Sequence, residues 1–230
     1  MMESMLKVAK TVAGLEHADF AMIANPKVVG EETFKTLRVL GVHVPGESVI
    51  GGRLMRNPVI GMAIDEILAK YPYKDVAAYM ITSTLGHEAF HAFVENTVKK
   101  YDPSMPEHVK AQVKAYTQML DNVQALSYEQ RVVMAQQIVD VMMPRARTRS
   151  IDPQTGQSVL NPEWQGYLRG AVQTPEEFAA FVYGHAIMAF VGEGVNEVNP
   201  RRVAQKMQDK MRWLDDGTRE FFRGQFGNLG

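Results

Sequence analysis

Residues 84–93 read Thr84-Leu85-Gly86-His87-Glu88-Ala89-Phe90-His91-Ala92-Phe93. The centre is H-E-x-x-H, which has chemical meaning only on a helix. There, His87 and His91 lie one turn apart and project from one face, where two imidazoles can grip one zinc ion. Glu88, beside the first histidine, can then reach a metal-bound water rather than the metal. The flanks agree with a helix. From Asp75 to Lys99 there is no proline, and Val76, Met80, Leu85, Phe90, Phe93 and Val94 keep helix-compatible apolar spacing. A helix over about 74–99 is therefore predicted, with the motif well inside it.

Apart from Glu88 and the two histidines, positions 84–93 are uncharged. With Thr84 three before the first histidine and Phe93 two after the second, the segment resembles the active-site helix of the zincin metallopeptidases. The resemblance covers about ten residues. It implies a zinc-dependent peptidase, one Zn2+ per chain, a peptide or protein substrate, and Glu88 as general base.

A catalytic zinc needs three protein ligands and one open position. His91 is followed by Ala92, Phe93, Val94, Glu95, Asn96 and Thr97, so the H-x-x-G-x-x-H continuation of metzincins is absent, and the chain has no cysteine. A carboxylate or a distant histidine (His17, His43, His108 or His185) must complete the set. The segment Thr174-Pro175-Glu176-Glu177-Phe178-Ala179-Ala180-Phe181 resembles the third-ligand segment of gluzincins of the anthrax lethal factor type. Carried over, that resemblance makes Glu177 the ligand. Read from the residues alone, Thr174 is a good N-cap, Pro175 suits the first helical position, and the apolar run predicts a helix over 175–191. Ala180 and Gly184, on the face of Glu177, would let that helix approach the H-E-x-x-H helix closely.

Glu177 has a second reading, as the Glu of a capping box with Thr174. Glu176 suits the first-turn dipole, Glu95, one turn beyond His91, reads as a partner supporting the ligands or a plain surface charge, and Glu129 and Glu193 remain fallbacks. His91 and Glu177 are 86 positions apart, which requires a helical insertion over 105–165. Where the lethal factor type carries an oxyanion-stabilising tyrosine, seven before the ligand, this chain has Gly170. Tyr167 is the nearest equivalent and the candidate donor. Tyr183 and His185 read more simply as packing residues.

The composition supports one domain. The chain has 230 residues, 46% hydrophobic, with a net charge of −1. That balance gives no strong pull toward nucleic acid or anionic membrane. The basic trio Arg145, Arg147 and Arg149 reads as a solvated linker. No apolar run reaches membrane-spanning length. The opening residues lack the apolar region of a signal peptide. With no cysteine, a cytoplasmic protein is expected, and a phage- or mobile-element-borne one would suit.

The expected fold is α+β and mostly helical, a single zincin-like domain over 1–230. Residues 1–18 read as helix. Short apolar runs at 20–24, 37–44, 48–50 and 58–64 read as a small sheet over 19–71, with Val59 to Ile64 nominated as the edge strand that binds substrate. Helices follow at about 106–124 and from the Ser127 capping box to Pro144, then loops to 165. A C-terminal helix and aromatic tail fill 199–230. The main alternative is a non-catalytic interaction module that keeps a structural zinc site, with the Met-rich helices and aromatic tail contacting an assembly partner. A zinc hydrolase acting on a non-peptide amide is a third reading.

Overall fold

The computed structural model describes residues 21–23, 41–50, 53–56, 59–71, 73–143, 148–151, 154–155, 158–160 and 164–191. The expected helices at 1–18 and 199–214, the aromatic tail, His17 and Glu193 lie outside them. The strands are β1 (Ala21–Ile23), β2 (Gly41–Val44), β3 (Ser48–Ile50), β4 (Arg53–Met55), β5 (Val59–Met62), β6 (Thr148–Ile151) and β7 (Ser158–Leu160). The helices are α1 (Ile64–Lys70), α2 (Lys74–Phe93), α3 (Glu107–Gln124), α4 (Tyr128–Met142), α5 (Trp164–Ala171) and α6 (Pro175–Val191). The chain is α+β with helix dominant.

Helix α2 is the centre of the molecule. Most of it, from Val76 to Phe93, is buried, which marks a helix covered on most of its sides. Helix α6 covers one flank, the strands β2 and β5 another, and α1 packs near its N-terminal end. Helix α6 is of the same kind, with Phe178, Ala179, Ala180, Phe181 and Val182 all buried. Two such helices can approach closely only where one lacks side chains. A Cβ on Gly184 would stand 2.2 Å from the Ser83 carbonyl oxygen and 3.0 Å from the His87 nitrogen. Both neighbours are backbone and cannot turn away. Gly184→Ala should therefore destabilise the fold by about 1–3 kcal/mol through overpacking, outweighing the ~1 kcal/mol helix-propensity gain. A melting temperature equal to or above wild type would refute this close approach.

The sheet over the site is mixed, in the order β1-β5-β2, with β5 parallel to β1 and antiparallel to β2. Val59 to Ile64 is thus not an edge. Its strand, β5, is hydrogen-bonded on both sides and buried at all four positions. The strand lying along α2 beside the motif is β2. Two short helices stand where the sequence assigns none. Ile64 opens α1, where Asp65 and Glu66 occupy a first turn that favours acids. In the expected loops of 145–165, β6 and β7 pair as a hairpin, and α5 follows.

The insertion between the two central helices is α3, α4 and this hairpin. Helix α4 begins at the expected capping box. The Gln130 amide donates to Ser127 Oγ at 3.2 Å, and the Ser127 amide donates to the Gln130 side chain at 2.7 Å. Four of the methionines, Met62, Met80, Met119 and Met134, are buried in the core.

Candidate metal centre

His87 and His91 sit on α2 one turn apart, with ring centroids separated by 4.7 Å. Their Nε2 atoms point at the same spot, 3.0 Å from each other. Glu177, in the first turn of α6, brings its carboxylate there from the facing helix. Its Oε2 is 3.1 Å from His87 Nε2, and its Oε1 is 3.5 Å from His91 Nε2. One ligand atom from each residue lies within 4.8 Å of the others, a grouping that can hold a metal ion. The side chains keep 19%, 25% and 39% of their surface exposed, so the site opens to a ligand from outside.

Thr174 explains how Glu177 is presented. Its Oγ1 accepts from the Glu177 amide at 3.1 Å, fixing the start of α6. Both carboxylate oxygens face the imidazoles, so the cap accounts for the backbone of Glu177 and not for its side chain.

The electrostatics fit a cation site. Burial by itself would raise the Glu177 pKa, but hydrogen bonds and charge from His87 and His91 hold the carboxyl well below the usual range. Burial would lower the His91 pKa, but Glu177 and Glu88 together hold it above the ordinary histidine value. Two nitrogens and an oxygen brought together in this way form a group that can hold a metal ion.

Glu88 is buried, outside the ligand triangle. Burial raises its pKa, while His87, His91 and the backbone N–H of His43 oppose the rise. It occupies the seam between α2 and β2, where a Cβ on Gly41 would come within 2.9 Å of Glu88 Oε1 and 2.6 Å of Thr84 Cγ2. Gly41 is the residue that lets the strand run this close to the carboxylate.

His43, two residues along β2, takes the same strand face and is held neutral next to His91. Burial lowers its pKa to about 4, with the charges of His91 and Lys99 acting the same way and Glu95 opposing. Its Nε2 has no hydrogen-bond partner among the described residues. From sequence, His43 was only one of several distant alternatives for the third ligand. The alternation of Gly41 and His43 along a strand was the one available signal of its place beside the site.

The other candidates have separate employment. Glu95 is paired with Lys99 at 2.7 Å on the π-helical turn Val94–Val98 that continues α2. Glu129 is exposed at the start of α4 and bonded to Ser127. Buried His185 meets the Tyr79 hydroxyl through Nδ1, against the Phe181 ring at 4.1 Å. Burial lowers its pKa to about 3, with His87 acting the same way. Tyr183 packs on Phe90 with ring centroids 5.0 Å apart. Tyr167 packs in tilted contacts against Trp164 and Phe181. Burial and neighbouring Tyr71 raise its pKa, while a hydrogen bond with Ser83, one turn before His87, opposes the rise. Its hydroxyl is thus engaged by α2 rather than by the histidine–carboxylate group.

No family model, no curated protein and no solved structure matches this chain. Among the described residues, no helix is long and apolar enough to cross a membrane.

Proposed function

We propose that this chain is a zinc-dependent peptidase of zincin type, with His87, His91 and Glu177 as metal ligands and Glu88 as general base. The observation that carries this reading is the convergence of Glu177 on the two histidines, across 86 positions of sequence, to within 4.8 Å. Two imidazoles and one carboxylate without thiolate are the ligand set of a hydrolytic zinc, which leaves its fourth position open. The competing structural-zinc reading requires a fourth protein ligand. Among the described residues the group has three.

When bound, zinc supplies a water acidified toward neutral pH and a Lewis acid for the substrate carbonyl. The chain's own residues do the rest. Glu88 is buried, one residue from a ligand and positioned by the His43 amide, so it can take the proton of the attacking water and deliver it to the leaving amine. Among the described residues β2 has β5 on one side and no strand on the other, which leaves its backbone available to an extended peptide beside the site. No step is assigned to Tyr167.

The first experiment is zinc per chain in protein purified without added metal, together with cleavage of a peptide mixture. About one zinc per chain and zinc-dependent cleavage are expected. A folded protein that holds no zinc and gains none on titration would overturn the reading.

Zinc binding should also depend on pH in a defined direction. The raised His91 pKa means that protons compete with zinc for this nitrogen as the pH falls. Apparent affinity should therefore fall on acidification, by about tenfold per pH unit for each proton displaced. Chelator competition between about pH 5 and 8 reads this directly. A flat profile would mean that His91 is not a ligand.

A further inference from the structure

The insertion between α2 and α6 carries a buried cation. Arg131, on α4, is 7% exposed, and among the described residues no carboxylate pairs with it. A buried guanidinium needs acceptors for its fixed fork of donors, and here all are backbone carbonyls. Nε donates to Val172 O at 3.1 Å, Nη1 to Leu126 O at 2.9 Å, and Nη2 to Gln173 O at 3.5 Å. Leu126 follows the end of α3, and Val172 and Gln173 follow the end of α5. These carbonyls lie just past the C-terminal, negative ends of two helices, where a cation is favoured.

Gln173 directly precedes Thr174, the cap that fixes the Glu177 amide at 3.1 Å. The chain of contacts therefore runs from the guanidinium to the 172–173 carbonyls, to the cap, to the carboxylate that meets His87 and His91. Helix α4 also packs on both α5 and α6, and Trp164 at the start of α5 donates to Gln136 of α4 at 3.0 Å.

We propose that Arg131 is a positioning residue for the third metal ligand: it clamps the α5–α6 turn so that Glu177 is presented to the two histidines, and this is what the helical insertion does for the site. The proposal rests on the reading of Glu177 as a zinc ligand. It assigns no contact between Arg131 and the metal or substrate.

The test compares zinc affinity, by competition with a chromophoric chelator, in the full chain and in Arg131→Met, Arg131→Lys and Ile67→Ala. Met fills similar volume without donors. Lys keeps the charge but cannot fork to three carbonyls. Ile67 is fully buried in α1, takes no part in the Arg131 hydrogen bonds or the Thr174 cap, and controls for lost stability alone. Arg131→Met should bind zinc about 10–100-fold more weakly, the loss typical of a group that orients a ligand, and Arg131→Lys by a smaller factor. Ile67→Ala should melt earlier but bind zinc as wild type does. Wild-type zinc affinity in folded Arg131→Met, or an equal loss in Ile67→Ala, would overturn the proposal. If Arg131→Met does not fold, Arg131→Lys decides, and unchanged affinity there overturns it too. A wild-type chain that takes up no zinc instead fails the metal reading itself, so the two failures are told apart.

Discussion

Replacing Glu88 by Gln should leave about one zinc per chain in place and lower peptide hydrolysis by about 10²–10⁴-fold. The substitution is nearly isosteric. Glutamine still offers a carbonyl oxygen to the His43 amide, so the seam between β2 and α2 stays closed. What it loses is the ability to hold a proton between the two halves of the reaction. Glu88 belongs to that role by position: it is buried, next to a proposed ligand and outside the group His87, His91 and Glu177. Burial also raises its proton affinity, opposed by His87, His91 and the His43 amide. A carboxylate whose proton affinity is raised in that way is suited to take up and release a proton during the reaction. Zinc content and kcat/KM measured on the same preparation separate the two functions. Wild-type turnover with zinc bound would end the peptidase mechanism, and loss of zinc with loss of turnover would mean that Glu88 is a ligand.

The two helices that make the site were legible because their chemistry is local. H-E-x-x-H needs helical periodicity, and the flanks of His87 supply it. Thr174-Pro175 announces the start of α6 through capping preferences alone. Even the close packing could be read, since Gly184 shares a face with Glu177. The sheet was harder. Val59 to Met62 is apolar at every position, the mark of a strand covered on both faces, and this argues for the centre of a sheet. Edge strands keep polar residues, as β2 does at His43.

Short helices were hidden by their neighbours. Ile64 continues an apolar, β-branched run and masks the start of α1. Gly166 and Gly170 weigh against a helix over α5, although Trp164, Tyr167, Leu168 and Ala171 form the i, i+3, i+4, i+7 stripe of a packed one. Tertiary packing of that stripe, with Trp164 and Leu168 buried, outweighs the two glycines. Arg131 had no signal at all. Its partners are carbonyls, two of them 41 and 42 positions away, and a backbone carbonyl leaves no trace in residue identity.

Converting Glu177 to Ala should weaken zinc binding by more than about 100-fold, beyond the loss expected when a merely orienting group is removed. The residue has two jobs in the structure, and single substitutions separate them. The cap is made by Thr174 Oγ1 and the Glu177 backbone, which any residue at 177 retains. Thr174→Ala should therefore cost about 1 kcal/mol of stability while changing zinc affinity far less than Glu177→Ala does. Glu177→Ala keeps the cap and removes only the carboxylate's contacts with His87 and His91, so its main effect should be on zinc affinity. Glu177→Asp is the sharper probe, since it preserves the charge and withdraws it by one methylene from two imidazoles it now meets at 3.1 and 3.5 Å. Zinc affinity should fall in Glu177→Asp although net charge is unchanged, because a ligand is defined by reach and a general electrostatic contribution is not. Chelator competition on the three variants, with melting curves taken without metal, reads both jobs at once. If Glu177→Ala binds zinc as wild type does, Glu177 is not a ligand and the third ligand lies elsewhere.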